Sequence, residues 1–264
     1  MKVSSYFYKP VLRPCRLKNL DYQVDPYIGC QHYCYYCYAL EQMETDWTQE
    51  ILMHSDIISQ LSKELDSIIP QTIYMGYKTD PYQPCETVYC QTQKVLNLLF
   101  EKGFSASILT KSNLIVRDID ILKKMARPAV SISVAFNDDA TCKLFEYNTM
   151  DTEARIDILR RFQAAGIRTG ALICPVIPYI TDVMPLIDLL EPYSDVIWIY
   201  GLNMENHSDR NWQNIQRILK AYFSSLEEKI EAAVFSKNHL YWTQLREMLE
   251  ADKKNRQSNI NIKI

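Results

Sequence analysis

Near its start the chain reads Asp25-Pro26-Tyr27-Ile28-Gly29-Cys30-Gln31-His32-Tyr33-Cys34-Tyr35-Tyr36-Cys37-Tyr38-Ala39, which spaces Cys30, Cys34 and Cys37 as Cys-x3-Cys-x2-Cys. Thiolates are the usual ligands of iron–sulfur clusters, and a four-iron cluster takes four ligands. Three thiolates on one short loop leave one iron without a protein ligand. An open coordination position distinguishes a reactive metal site from a closed structural one, as it does for zinc. The segment therefore predicts a reactive four-iron, four-sulfur ([4Fe-4S]) cluster.

Other interpretations of the cysteine pattern are weaker. A disulfide framework requires paired cysteines in a secreted chain, and Met1 to Cys15 has no apolar signal core. A zinc knuckle requires a second close pair, and Cys85-x4-Cys90 is the one that the sequence offers. Bacterial ferredoxins use a different spacing, Cys-x2-Cys-x2-Cys-x3-Cys-Pro. Coincidence is the last alternative, since eight cysteines occur in 264 residues.

Length and composition indicate a soluble protein that builds its own core. The chain has 264 residues, of which 47% are hydrophobic, and it lacks a run of about 18 apolar residues, so we expect no membrane span. Eight cysteines without an export signal indicate a reducing compartment and a cytoplasmic protein.

The formal net charge of −3 provides no global basic field for nucleic acid, and we interpret local basic clusters as solvated surface. No Gly-x-Gly-x-x-Gly or Gly-Lys-Ser/Thr element is present, which disfavours a phosphate-cradling nucleotide site.

Short β-rich runs alternate with longer amphipathic runs through the middle of the chain. The predicted strands are Thr72 to Met75, Ser105 to Leu109, Ala129 to Val134, Arg168 to Ile173 and Asp195 to Tyr200. The predicted helices are Ile51 to Ile69, Val88 to Glu101, Ile119 to Met125, Thr152 to Ala165 and Val183 to Leu190. This alternation is typical of parallel strands joined by right-handed crossovers. A first strand near Tyr22 to Tyr27 would complete six, so we predict an α/β fold with a partial (β/α)6 TIM-like barrel.

We expect one domain over residues 1–264, with a barrel core over about 20–202 and a helical C-terminal extension over about 203–264. The extension contains predicted helices from Trp212 to Leu226 and from Leu240 to Glu250. The polar tail after Ala251 is expected to fray. In barrels of parallel strands the functional residues lie at the C-terminal ends of the strands and in the loops that follow.

The cysteine segment resembles the cluster loop of the radical S-adenosylmethionine (radical SAM) superfamily, with Tyr36 as the aromatic residue before the last cysteine. Its wider form is similar to the spore photoproduct lyase-like branch of that superfamily. Further matches follow in order at Thr79-Asp80-Pro81-Tyr82-Gln83-Pro84-Cys85-Glu86, Leu109-Thr110-Lys111-Ser112, Arg117-Asp118, Ser131-Ile132-Ser133 and Pro175-Val176-Ile177-Pro178. The resemblance implies the same partial barrel. It also implies an enzyme that cleaves S-adenosylmethionine (SAM) reductively to a 5′-deoxyadenosyl radical, which abstracts hydrogen from a substrate.

The resemblance assigns roles to individual residues. Cys30, Cys34 and Cys37 would be the metal ligands. The cofactor-binding residues would be Tyr36 and Tyr38 at the adenine, Lys111 at the SAM carboxylate, Thr79 and Asp80 at the ribose, and the inward-facing Ser131 and Ser133. Structural alternatives stay open: core packing for Tyr38, a surface position for Lys111, and an Asp-Pro turn for Thr79 and Asp80. We interpret His32 as a residue that packs on the cluster loop, with metal binding as the alternative. We interpret Arg155 as part of a helix-face salt bridge, with a reach back toward the cofactor as the alternative.

One position departs from the pattern of the spore photoproduct lyases. In those enzymes a cysteine that returns hydrogen to the product radical stands two residues before the Ser-Asp that matches Thr79-Asp80. This chain has Tyr77 there. Tyr77 is therefore a candidate catalytic hydrogen donor, and Cys174 near the end of the fifth strand is the other. We predict that the chain is not an authentic repair lyase.

The sequence leaves the substrate open among small molecules, peptides and nucleic acids. A flavodoxin- or ferredoxin-type electron donor is the expected partner, and a membrane is not. Two alternative functions remain: a spore photoproduct lyase-like DNA repair enzyme, or a non-catalytic iron–sulfur or zinc-binding module in which a fourth ligand closes the site.

Overall fold

The alternation of strands and helices produces one large sheet and one small sheet in the computed structural model, which describes residues 1–42 and 44–264. The strands are β1 Lys2–Tyr6, β2 Arg13–Pro14, β3 Tyr22–Gln23, β4 Tyr27–Ile28, β5 Glu50–His54, β6 Thr72–Met75, β7 Ser105–Thr110, β8 Ala129–Ser133, β9 Arg168–Val176, β10 Val196–Gly201 and β11 Asn259–Lys263. The large sheet has the order β11-β10-β9-β8-β7-β6-β3-β2, and the small sheet has the order β1-β5-β4. From β3 to β11 every neighbouring pair in the large sheet is parallel.

Helices connect these strands, and several of them pack against the large sheet. They are α1 Ile57–Leu65, α2 Glu86–Tyr89, α3 Gln91–Glu101, α4 Ile119–Leu122, α5 Asp139–Phe145, α6 Thr152–Ala164, α7 Val183–Leu190, α8 Arg210–Tyr222, α9 Glu227–Val234 and α10 Leu240–Asp252. Short 3-10 segments occupy Tyr38–Gln42, Asn113–Asp118, Glu191–Tyr193 and Lys253–Asn255. Within residues 1–42 and 44–264, no helix has both the length and the apolar character needed to cross a membrane.

The inner face of the large sheet is open. On β10, Ile197 and Ile199 point toward the helices and are fully buried, whereas Trp198 and Tyr200 point inward and remain partly exposed. A closed TIM barrel fills its interior with packed side chains. Here β2 and β11 are the two ends of the strand order, so the described strands form an open, partial barrel. The predicted α/β fold with a partial barrel is confirmed.

Two predicted elements are wrong. The helix predicted from Ile51 begins only at Ile57, because Glu50–His54 forms β5, which pairs with β1 and β4 in the small sheet. The tail expected to fray instead forms β11, where Ile260 is 1% exposed beside β10. The extension after the barrel is therefore helical with a final strand that returns to the large sheet.

Candidate functional site

The predicted site residues lie at one edge of the large sheet, where its parallel strands end. Asp80 follows β6, Lys111 follows β7, Ser133 ends β8 and Cys174 lies near the end of β9. The loop that carries the three cysteines follows β4 and meets this edge through hydrogen bonds to the segment after β6. This is the edge that carries function in barrels of parallel strands.

The cysteine loop begins with a turn that requires glycine. Gly29 has a φ of +94°, and a Cβ there would lie 2.8 Å from Cδ1 of Ile51. After this turn, the Tyr33 N–H donates to the Cys30 carbonyl at 3.2 Å, and the Cys37 N–H donates to the Cys34 carbonyl at 3.0 Å. The backbone thus folds the loop on itself and brings the three cysteines onto one compact turn.

The three thiols share one environment. Burial raises the pKa of Cys30 to about 12 and raises the pKa of Cys34 and of Cys37 above the ordinary value, and each thiol is within electrostatic range of the others. Among residues 1–42 and 44–264, no three His, Cys, Asp or Glu side chains are arranged around a single metal ion. A cluster places each thiolate on a different iron, so it requires thiols around a common space. The donor chemistry of this loop fits such a cluster.

A buried glutamine holds the backbone on both sides of Cys30. The Nε2 amide of Gln83 donates to the Gly29 carbonyl at 3.0 Å, and its Oε1 accepts from the Gln31 N–H at 2.9 Å. The Thr79 hydroxyl also donates to the Gly29 carbonyl and accepts from Gln83 Nε2 at 2.9 Å. Gln83 is 0% exposed. The segment after β6 therefore fixes the start of the cysteine loop.

Asp80 is buried and surrounded by protein partners. Its Oδ1 accepts from the Thr110 hydroxyl at 2.6 Å and from the Tyr82 N–H at 2.8 Å, and its Oδ2 accepts from the Lys111 N–H at 2.8 Å. Nε2 of His32 lies 3.3 Å from Oδ2. Burial opposes ionisation of Asp80, but His32 and these hydrogen bonds outweigh it, so the pKa of Asp80 lies below its ordinary value. Asp80 links the ends of β6 and β7 to the cysteine loop.

Lys111 lies between Ser133 and the ring of Tyr36. Its Nζ donates to the Ser133 hydroxyl at 2.6 Å and lies 5.9 Å from the centre of the Tyr36 ring. Burial disfavours its charged form, but Glu146 and Cys34 outweigh this, so the pKa of Lys111 is raised above its ordinary value. Lys111 therefore presents a cation beside the cysteine loop.

A buried ion pair that the sequence did not reveal supports Tyr36. The Tyr36 hydroxyl donates to Glu146, and Arg155 donates to Oε2 of the same carboxylate at 2.5 Å. Burial opposes ionisation of Glu146, but Arg155 and Lys111 outweigh it and lower the pKa of Glu146 to about 2. Arg155 also donates to the Ser133 carbonyl at 3.0 Å. The salt bridge expected for Arg155 exists, but it is buried under the site and not on a helix face.

Aromatic residues and a thiol lie beside the cysteine loop. The Tyr38 side chain is 50% exposed, its hydroxyl donates to the Tyr77 carbonyl, and the two rings are 6.3 Å apart at 73°. Tyr77 also packs edge-on against Tyr74, with ring centres 6.5 Å apart. Cys174 lies within electrostatic range of Lys111 and Cys37, and burial raises its pKa to about 11, so the thiol keeps its proton at neutral pH.

Ser131 is the one predicted site residue that lies deeper in the open interior. A Cβ at Gly170 on the adjacent strand would lie 2.7 Å from the Ser131 hydroxyl oxygen, so this layer of the interior accepts only small residues. Ser131 and Ser133 share the inner face of β8, as predicted.

A parallel α/β sheet with a three-cysteine loop over its strand ends defines the class of this protein. The family model of the Radical SAM superfamily matches residues 24–190, more than half of the chain. The chain belongs to this superfamily.

Sequence relatives include the uncharacterised protein MJ0683 of Methanocaldococcus jannaschii, which is 29% identical over 201 residues covering 75% of this chain and 76% of the relative. The uncharacterised protein Rv2578c of Mycobacterium tuberculosis is 29% identical over 208 residues, which cover 72% of this chain and 61% of the relative.

Among solved structures, spore photoproduct lyase complexed with dinucleoside spore photoproduct aligns with a TM-score of 0.66 at 14% identity, covering 98% of this chain and 81% of the lyase. Streptococcus suis SuiB bound to S-adenosylmethionine aligns with a TM-score of 0.57 at 12% identity, covering 99% of this chain and 50% of SuiB. Both likenesses show the fold, which is that of spore photoproduct lyase.

Proposed function

We propose that this chain is a radical SAM enzyme whose [4Fe-4S] cluster is held by Cys30, Cys34 and Cys37. The observation that carries the proposal is a partly buried loop with three thiols near the cation of Lys111. When bound, the cluster and SAM would supply a 5′-deoxyadenosyl radical that abstracts hydrogen from the substrate. The protein would hold the cluster, orient SAM and keep water and side reactions away.

The SAM-binding residues are proposed from their positions around the loop. Lys111 would bind the SAM carboxylate as a point charge, and Ser133, its hydrogen-bond partner, would orient it. Tyr36 and Tyr38 would lie beside the adenine, and Ser131 would line the interior below.

Thr79 and Asp80 stay predicted ribose contacts. Their side-chain oxygens already accept hydrogen bonds from Gln83, Thr110 and backbone N–H groups, so ribose hydroxyls would have to share these partners.

Tyr77 and Cys174 are the proposed hydrogen donors to a product radical. Tyr77 packs against Tyr38, and Cys174 lies within electrostatic range of Lys111 and Cys37. A phenol and a thiol can each give up a hydrogen atom, so both side chains are suited to the task.

The substrate would enter the open interior and is a small molecule, a peptide or a nucleic acid. Solved relatives of the fold bind a dinucleoside lesion in one case and, in SuiB, the precursor peptide SuiA in another. We also propose a flavodoxin- or ferredoxin-type electron donor. A cytoplasmic location fits the eight free thiols.

Anaerobic reconstitution tests the proposal. We expect one four-iron cluster per chain and release of 5′-deoxyadenosine when SAM and a low-potential reductant are added. Alanine at Cys30, Cys34 or Cys37 is expected to abolish this release, and Cys15→Ala is the matched control. Retained SAM cleavage in all three loop variants would rule out the assignment.

The competing class is a non-catalytic module with a fully ligated iron–sulfur or zinc centre. A zinc centre requires four ligands around one point, and the described residues bring no such group together. SAM binding to an unliganded iron, seen as a change in the electron paramagnetic resonance (EPR) spectrum, separates the enzyme from the module. An unchanged spectrum would favour the module.

A spore photoproduct lyase-like repair enzyme is the second candidate, favoured by the fold. Tyr77 places a ring, packed against Tyr38 and Tyr74, where those lyases carry their cysteine donor, and the net charge of −3 does not favour DNA. We therefore expect no efficient repair of dinucleoside spore photoproduct by the reconstituted enzyme, measured by chromatography of the products. Clean conversion to two thymines would contradict this expectation.

A further inference from the structure

Gln83 is a buried glutamine whose side-chain amide makes two hydrogen bonds to the same turn of the backbone. Its Nε2 donates to the carbonyl before Cys30, and its Oε1 accepts from the N–H after Cys30. The turn has a second link, because the side chain of Gln31 accepts from the Cys85 N–H. Both links join the cysteine loop to the segment that follows β6.

The two hydrogen bonds of Gln83 differ in whether another side chain could take its place. The Gly29 carbonyl also accepts from the Thr79 hydroxyl, so it keeps a partner without Gln83. Gln83 Oε1 is the acceptor that pairs the partly buried Gln31 N–H, and an N–H that loses its protein partner there destabilises the turn. Loss of this acceptor would therefore release the backbone at Cys30 while leaving the rest of the loop in place.

We infer that Gln83 is a positioning residue for Cys30, and that it determines how firmly the cluster is retained. The inference rests on the proposed function. Gln83 does not touch the metal; it acts through the backbone on either side of the ligand. Among the described residues, Cys30 is the one of the three cysteines whose preceding carbonyl and following N–H both bond to a single side chain, whereas Cys34 and Cys37 are joined to each other by a backbone hydrogen bond.

The test compares Gln83→Met and Gln83→Glu with Gln91→Met. Gln91 is a buried glutamine that donates to the His54 carbonyl at 3.0 Å, away from the cysteine loop. Methionine keeps the length of the side chain and removes its hydrogen bonds. Glutamate keeps the acceptor for Gln31 but directs a second oxygen at the Gly29 carbonyl.

Three quantities are measured on the reconstituted proteins: the iron and sulfide content per chain, the EPR signal of the three-iron form, and the rate of cluster loss to a chelator.

We expect Gln83→Met to lose the cluster roughly tenfold faster than the parent and to accumulate the three-iron form, whereas Gln83→Glu, which keeps the acceptor for the Gln31 N–H, should lie closer to the parent. Gln91→Met should retain the cluster as the parent does, although both methionine variants lower the unfolding temperature of the cofactor-free protein. Equal rates of cluster loss in the parent and Gln83→Met would overturn the inference, as would equal acceleration in Gln91→Met. A parent chain that takes up no cluster would overturn the proposed function itself, and this inference with it.

Discussion

At the scale of the residue, Lys111 joins two parts of the candidate site. It donates to Ser133 on β8, and its charge is balanced by Glu146 beneath Tyr36. A lysine in this setting keeps its proton and can offer further N–H donors to an anion. This makes the position testable separately from the cluster.

Lys111→Ala is expected to weaken SAM binding roughly ten- to a hundredfold while leaving the iron content unchanged. A hydrogen bond to a charged group contributes about 1.5–3 kcal/mol, which corresponds to this range of affinity. Anaerobic equilibrium binding to the reconstituted enzyme measures the change. Lys123→Ala, at an exposed lysine after α4, is the matched control. An unaltered SAM dissociation constant for Lys111→Ala would remove Lys111 from the site.

Spacing along the chain reveals some of these residues and hides others. The positions of the three cysteines on one loop and of Lys111 directly after a strand could be predicted, because both follow from local spacing. The contacts of Glu146 and Gln83 could not. Glu146 meets Tyr36 across 110 positions of sequence, and Gln83 meets Gly29 across 54. Their roles exist only once β6, β8 and the cysteine loop are assembled.

At the scale of the element, the sequence predicted the parallel strands well, because each is a short apolar run between amphipathic helices. β5 was missed since its apolar residues continue directly into α1, and one helical period fits both. The two elements separate at Ser55 and Asp56, just before the helix begins. Glu50–His54 forms a strand because it pairs with β1 on one side and β4 on the other. These pairings are tertiary contacts, which the local sequence does not show.

β11 did carry a local signal. The run Asn259-Ile260-Asn261-Ile262-Lys263 alternates polar and apolar residues, which is the period of a half-buried strand. Ile260 packs into the core while Asn261 lies opposite Trp198 on the inner face. The polar composition of the segment outweighed this alternation in the prediction. Composition alone therefore predicts an edge strand poorly, because only one face of such a strand needs to be buried.

At the scale of the whole molecule, one arginine connects the final strand to the barrel. The Arg256 guanidinium donates hydrogen bonds to Asp188 at 2.6 Å, to Glu191 at 3.0 Å and to Asp252 at 2.6 Å. The backbone N–H groups of Gln257 and Ser258 donate to the other oxygen of Glu191. This network fixes the chain between α10 and β11 against the end of α7, and so holds β11 on the edge of the large sheet.

Arg256→Gln is expected to lower the unfolding temperature of the protein at neutral pH by roughly 2–4 °C, because a partly exposed ion-pair network contributes about 1 kcal/mol. Burial alone would raise the pKa of Glu191, but Arg256 and the two backbone N–H groups outweigh it and lower this pKa below 4.5. A lowered pKa in the folded state means that the stabilisation is complete above pH 4.5 and is lost as the pH falls through the folded value. The difference in unfolding temperature between parent and Arg256→Gln should therefore shrink below pH 4.5, as followed by circular dichroism on cofactor-free protein.

Arg161→Gln removes an exposed pair with Asp157 and serves as the control, for which a smaller change in unfolding temperature is expected. A difference for Arg256→Gln that stays constant from neutral to acidic pH would show that the arginine stabilises β11 by packing and not through the charge of Glu191.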